Sequence, residues 1–233
     1  MNKKNNEYNY EKYWYSEVDR VHDRYYEKLY DRIKSRISPE EGLKILDVGG
    51  GNGEFLDYLK IKNAVIFDIS DSGLEIAQKR FNFNTVKGDI RGKFPFKDET
   101  FDFIYCCEVL EHLAHHEKIF QEISRILKKG GKLVISVPNM PIDGFHHKKR
   151  FKKKELKNFL EKNKLRIFEE FYNPKINGGH SCKEILRDKE IRIILKKIIS
   201  NILGSIIPLK FKIYLANKNP DIFSGFFIIK AQK

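Results

Sequence analysis

KILDVGGGNGEFLDYLK, residues 44–60, sets the reading of the whole chain. Ile45, Leu46 and Val48 form a short apolar strand that Asp47 closes. Gly49, Gly51 and Gly53 alternate through the turn, with Gly50 between them, and a helix is expected at once over Glu54–Leu59. A turn this tight needs residues without a Cβ that tolerate positive φ. It presents bare backbone N–H groups at a helix N-terminus, where negative charge is favoured. The dinucleotide fingerprint G-x-G-x-x-G would put its third glycine at position 54. Position 54 is Glu54, so the pattern is D-x-G-x-G-x-G instead.

The segments that follow agree in order. Ala64–Asp68 is an apolar run ending in an acid 19 residues after Gly49, the place from which a carboxylate accepts ribose hydroxyls. Ser70–Phe81 reads as a helix capped by Ser70 or Asp71. Thr85–Ile90 is a third strand that includes Asp89. Phe103–Cys107 is a continuous apolar strand of the kind a parallel sheet buries. Glu108-Val109-Leu110-Glu111-His112-Leu113 follows. Leu127–Asn139 reads as a helix end, a double-glycine turn at Gly130 and Gly131, and a fifth strand closing in Pro138-Asn139. Strands alternating with helices imply a parallel α/β sheet.

The glycine loop, Asp68 and the E-V-L-E-H-L hexapeptide together resemble the class I S-adenosylmethionine-dependent methyltransferases, in the branch acting on quinones, lipids and glycans. The resemblance covers about residues 40–172. It implies a Rossmann-like doubly wound sheet of about seven strands, mostly parallel, with an antiparallel last strand at Gly225–Lys230. It also implies S-adenosyl-L-methionine as cofactor. The cofactor set it implies is Asp47, Gly49, Gly51, Asn52 and Gly53 in the loop, then Asp68, Ile69, Asp89, Ile90 and Cys107. Asp89 would meet the adenine amino group and Ile90 the ring.

Around this core, residues 1–39 are expected to form an N-terminal helical cap, with an apolar stripe at Val18, Val21, Tyr25, Leu29, Ile33 and Ile37. In the resembling family that helix lies over the cofactor, so the aromatics Tyr8, Tyr10, Tyr13, Trp14 and Tyr15 are candidates to face the sulfonium. A helix is expected over Phe151–Leu160 and a sixth strand over Leu165–Phe168. Residues 173–224 interrupt the core before the last strand at 225–233. Their centre, 189–207, is amphipathic with a basic polar face. It suits a lid, a homodimer contact, or peripheral contact with an anionic membrane.

The chain has 233 residues and a net charge of +13. Residues 146–233 hold 22 Lys and Arg against 8 Asp and Glu, so the excess is C-terminal. A surface of this kind meets anionic partners or is a solvated helix face. Three cysteines make neither a disulfide framework nor a zinc spacing, which suits a reducing cytosol. The N-terminus lacks the apolar stretch of a signal peptide, and no run matches a membrane span. A cytoplasmic protein, with the inner membrane face as an alternative, is expected.

Methyl transfer is an in-line displacement that rewards positioning. A hydroxyl nucleophile benefits from a base. His112, His146 and His147 are the candidates, backed by Glu108 and Glu111. Glu108, Glu111 and His112 also have helical spacing that could hold a divalent ion, but relatives share the hexapeptide without metal, and none is assigned. Strand four ends in Cys107-Glu108-Val109-Leu110 rather than the Asn/Asp-Pro-Pro-aromatic stretch of enzymes that methylate base amines, which disfavours flipped DNA bases. The acceptor expected is a small-molecule, lipid-linked or glycan group. An RNA methyltransferase using the basic C-terminal third, and a cofactor-binding protein without turnover, remain as alternatives.

Overall fold

A computed structural model describes residues 24–37, 39–139, 148–174 and 224–233. The aromatics at 8–15, His146, His147 and the 189–207 segment lie outside the described residues. The elements run α1 (Arg24–Lys34), β1 (Ile45–Val48), α2 (Glu54–Tyr58), β2 (Ala64–Asp68), α3 (Asp71–Phe81), β3 (Asn84–Lys87), β4 (Phe101–Cys107), a single 3-10 turn (Leu110–His112), α4 (Glu117–Ile126), β5 (Leu127–Pro138), α5 (Lys153–Lys162), β6 (Arg166–Pro174) and β7 (Ser224–Gln232).

The strands form one seven-stranded sheet in the order β3-β2-β1-β4-β5-β7-β6. From β3 to β5 each neighbouring pair is parallel, and β7 runs antiparallel to both β5 and β6. This is the expected mostly parallel sheet with an antiparallel last strand. The order reverses between β1 and β4, so the crevice of this α/β sheet opens at their carboxyl ends.

Burial explains why β4 reads as an unbroken apolar run. Ile104 and Cys106 face one layer, with Ile119, Phe120, Ile123 and Ile126 of α4 and Leu156 and Leu160 of α5. Phe103 and Tyr105 face the other, with Leu29 and Ile33 of α1, Phe55 and Leu56 of α2, and Leu74 and Ala77 of α3. A strand covered on both faces has no polar side to alternate with. Each such side chain, removed from water, contributes about 1.5–3 kcal/mol.

Several boundaries differ from the sequence expectation. β3 stops at Lys87 and does not reach Ile90. The ring of Phe67 occupies the space beside Gly88, where a Cβ would come within 2.4 Å of it, and the Gly88 N–H donates to the Asp68 carbonyl at 2.9 Å. The strand therefore turns away there, and Asp89 and Ile90 sit in the following loop. Leu127 begins a strand and not a helix end, because its register partner is Phe101. The irregularity between Phe101 and Phe103 absorbs the Gly130 turn, where φ is +77°. Helix α5 starts at Lys153 rather than Phe151, since Phe151 is buried as a core anchor. The stripe residues Leu29, Ile33 and Ile37 are buried as expected.

Candidate cofactor and acceptor site

The site forms where β1, β2 and β4 end. Gly49 leaves β1 with φ +74°, and its N–H donates to the Phe67 carbonyl at 2.7 Å, which pins the loop to β2. A Cβ on Gly49 would lie 2.6 Å from Val109 Cγ2. The glycine loop and the E-V-L-E-H-L segment are thus packed directly on each other, and glycine is required for that approach.

Asp68 ties two loops together. Its Oδ2 accepts the Gly51 N–H at 3.0 Å and its Oδ1 accepts the Ser70 N–H at 2.9 Å. Ser70 in turn caps α3 by accepting the Gly73 N–H at 3.1 Å. Asn52 Oδ1 accepts the Glu54 N–H at 3.1 Å and fixes the entry to α2. Ile69, next to Asp68, leaves 36% of its surface exposed at this edge, an apolar surface open to a ligand.

Beneath the loop lies Asp47, 2% exposed, whose Oδ2 has no hydrogen-bond partner among the described residues. A Cβ at Gly50 would come within 2.6 Å of that oxygen. Burial first, and then the charge of Asp68, push the Asp47 carboxyl up to about 8. Such an orphaned acidic group calls for a cation or for a proton.

Three further acidic features surround it. Glu108 takes a left-handed backbone, φ +56°, at the end of β4, a strained geometry for a residue with a side chain. Its Oε1 accepts the Ser136 hydroxyl at 2.8 Å, and desolvation pushes its carboxyl above the usual carboxylate range. Glu111 is 1% exposed, and burial with the nearby Glu108 charge raises it well above the carboxylate range. Its Oε2 has no partner among the described residues. Burial, with Asp47 adding to it, raises the thiols of Cys106 and Cys107, which keeps both protonated. The edge therefore gathers buried acids that hold their protons near neutral pH, and a cationic ligand would favour their ionised form.

Aromatic side chains back the loop. Tyr30 of α1 packs on Phe55 at 5.0 Å and Tyr58 at 5.4 Å, and Phe55 meets Tyr105 edge-on at 5.3 Å. Burial raises the Tyr30 hydroxyl, and the charges of Glu108 and Asp47 add to this, so α1 reaches the same edge. Sequence reading pointed to the aromatics at 8–15 and passed over Tyr30. Its place off the apolar stripe, beside Leu29, was the available signal.

The expected site residues do not all gather. Asp47, Gly49, Gly51, Asn52, Gly53, Asp68, Ile69 and Cys107 share the edge. Asp89 stands in the loop after β3 and is occupied by Arg91, whose Nε lies 2.9 Å from both carboxylate oxygens. That side-chain bond holds its carboxyl below the usual range. Ile90 packs against the core layer of α4. His112 lies in the 3-10 turn, its Nε2 3.7 Å from Glu111 Oε1. His116 is a structural histidine: its Nε2 lies 2.8 Å from the Leu110 carbonyl and its ring meets Phe151. No cluster of three or more His, Cys, Asp or Glu side chains among the described residues has a metal-holding arrangement. Glu108 is drawn to Ser136 and does not share a helix with Glu111 and His112.

Residues 46–135 match the family model described as a methyltransferase domain. An uncharacterized protein of Methanocaldococcus jannaschii is 34% identical over 149 residues, 64% of this chain and 66% of that protein. The ubiquinone biosynthesis O-methyltransferase of Bartonella bacilliformis is 25% identical over 197 residues, 72% of this chain and 79% of that protein. The chain spans between 50% and 66% of the length of three of the curated relatives it matches. Among solved structures, a chain from the complex between the Haloferax volcanii Trm112 methyltransferase activator and a methyltransferase aligns with TM-score 0.67 at 15% identity, over 97% of this chain and 98% of that one. A SAM-dependent methyltransferase from Archaeoglobus fulgidus aligns with TM-score 0.61 at 21% identity, over 95% of this chain and 99% of that one. With the glycine loop, the acid at the tip of β2 and the sheet order already in place, the chain carries a class I S-adenosylmethionine-dependent methyltransferase domain, and S-adenosylmethionine is the cofactor of that domain.

Proposed function

We propose that the chain transfers a methyl group from S-adenosylmethionine to an oxygen nucleophile of a small-molecule or lipid-linked acceptor. The observation that carries this reading is the convergence of the glycine loop with four acidic side chains, Asp47, Asp68, Glu108 and Glu111, at one edge of the sheet. A ligand bearing both an ammonium and a sulfonium suits such an edge. The cofactor supplies an activated methyl group. The chain binds and orients it. Asp47, whose Oδ2 lacks a partner among the described residues, balances the cofactor's ammonium. Asp68, at the tip of β2, accepts the ribose hydroxyls. Tyr30, Phe55 and Tyr105 exclude water behind the loop.

His112 is the base this reading favours. Its Nε2 lies 3.7 Å from Glu111 Oε1, and an imidazole at this place would take the hydroxyl proton as the oxygen attacks. Oxygen is preferred over nitrogen because the relatives include a ubiquinone biosynthesis O-methyltransferase and an O-methyltransferase of Aspergillus nomiae. The test is transfer of labelled methyl into small molecules, lipids, glycans and RNA offered in parallel. Label in an O-methylated small molecule or lipid is expected, and label in RNA alone overturns the assignment. His112→Ala should lower kcat by about 10²–10⁴. A change below threefold would remove His112 from the chemistry.

A second reading adds a small activator protein, as the Haloferax volcanii structure has for its own methyltransferase. Co-elution of the purified chain with that activator in gel filtration would support it, and separate elution would sink it.

A further inference from the structure

The segment that closes the site on the β5 side is cationic beyond what folding requires. Lys148, Lys149, Arg150, Lys152 and Lys154 line a depression of about 580 Å³, with Glu155 as its one acidic lining residue. Four of these residues, Lys148, Arg150, Lys152 and Lys154, are exposed. Lys152 is the N-cap of α5 and makes no side-chain capping bond, and Lys153 and Lys154 share the first helical turn with Glu155. Cations at a helix N-terminus are repelled by the helix dipole. An acidic or hydroxyl residue at the cap would have stabilised this start, so Lys152 and Lys154, on the lining of the depression, weaken α5 where only Glu155 favours it.

The depression is also firmly held. Phe151, 1% exposed, plants the middle of the segment in the core against the His116 ring. The N–H groups of Lys148 and Lys149 donate to the Glu111 carbonyl at 2.7 and 3.1 Å. Arg150 Nε donates to Asn139 Oδ1 at 2.8 Å, at the carboxyl end of β5. Lys149 is paired with Glu155, and Lys153 with Glu170. One rim is therefore bonded to the residue beside His112, and the charges of Lys149 and Arg150 are held before any ligand arrives.

We propose that this depression binds a phosphate or pyrophosphate group of the methyl acceptor, with the rest of the acceptor lying toward His112. Anionic oxygens there would meet several ammonium groups and the N-terminal N–H groups of α5 at once. The assignment of the occupant as acceptor rests on the methyltransferase reading, whereas anion binding by the depression does not.

The test is calorimetric titration of the full chain with inorganic pyrophosphate, and separately with S-adenosylhomocysteine. Pyrophosphate should bind and weaken with added salt. Exchanging Lys152→Glu together with Lys154→Glu should weaken pyrophosphate by about tenfold or more. The same pair should leave S-adenosylhomocysteine affinity unchanged and should not lower Tm, because acids suit the first turn. A Lys152→Gln, Lys154→Gln pair gives the same loss without reversing charge. No pyrophosphate binding by a chain that binds S-adenosylhomocysteine overturns the proposal and leaves the cofactor assignment standing. Pyrophosphate binding without S-adenosylhomocysteine binding does the reverse. Equal binding by wild type and both variants overturns it. Competition separates the sources: displacement by phosphatidylglycerol vesicles identifies a lipid headgroup, and no displacement identifies a soluble phosphorylated acceptor. An oligoribonucleotide that displaces pyrophosphate where vesicles do not makes the surface a nucleic-acid face and overturns the proposal.

Discussion

Asp47→Asn should stabilise the protein in the absence of cofactor and cost it cofactor affinity. The Asp47 carboxyl ionises near 4 in an unfolded chain and is raised to about 8 in the native state, by burial first and by Asp68 second. Between those values the native state holds a proton that the unfolded state has released. Stability from this group is therefore complete below pH 4 and is lost steadily as pH rises toward 8. One pKa unit corresponds to about 1.4 kcal/mol, so the penalty at pH 7 has an upper bound of about 4 kcal/mol. Relaxation around a buried charge reduces it, and about 1–3 kcal/mol is expected in practice. Asparagine is isosteric and does not titrate, so the variant lacks this loss. Urea unfolding of both proteins at pH 5, 6, 7 and 8 reads it directly. The wild type should lose ground to the variant at each step of rising pH. S-adenosylhomocysteine should bind the variant more weakly by at least about tenfold at pH 8, where about half of the wild-type carboxylate is ionised before ligand arrives. Parallel stability curves from pH 5 to 8 would refute the argument that Asp47 is a buried, unpartnered acid.

Asp68→Ala removes acceptors for the Gly51 and Ser70 N–H groups, so it should cost about 1.5–3 kcal/mol of stability and weaken S-adenosylhomocysteine by more than about 1 kcal/mol; unchanged affinity would show that Asp68 only braces the loop. Gly49→Ala should destabilise by about 2 kcal/mol or more through its left-handed backbone and the contact with Val109. Val109→Ala should recover part of that loss in a double-mutant cycle, with a coupling of about 0.5 kcal/mol or more; strict additivity would mean the two motifs do not touch as described.

Local signals carried much of the fold into the sequence. Gly49 to Gly53 demanded a tight strand-to-helix turn, and the apolar runs at Ile45–Val48, Ala64–Asp68 and Phe103–Cys107 read directly as buried strands. The three- and four-residue spacing of Leu29, Ile33 and Ile37 gave the buried face of α1. What stayed hidden depends on distant contacts. Nothing near Glu108 signals that it will take a left-handed backbone and bond Ser136, because Ser136 arrives from β5. Asp89 read as a strand-end acid, but the Phe67 ring beside Gly88 ends β3 early, and Arg91 then claims the carboxylate. Leu127 looked helical until its pairing with Phe101 was known. The role of Tyr30 needed the packing of α1 on α2. The basic run at 148–154 was visible as charge, whereas its attachment to Glu111 and Asn139 was not.

The most direct test is calorimetric titration of the purified chain with S-adenosylhomocysteine, with NAD titrated in parallel. Micromolar binding of S-adenosylhomocysteine and no detectable binding of NAD is the expected result. Binding of NAD, or no binding of S-adenosylhomocysteine, would contradict the assignment of the loop and its buried carboxylates to a sulfonium cofactor.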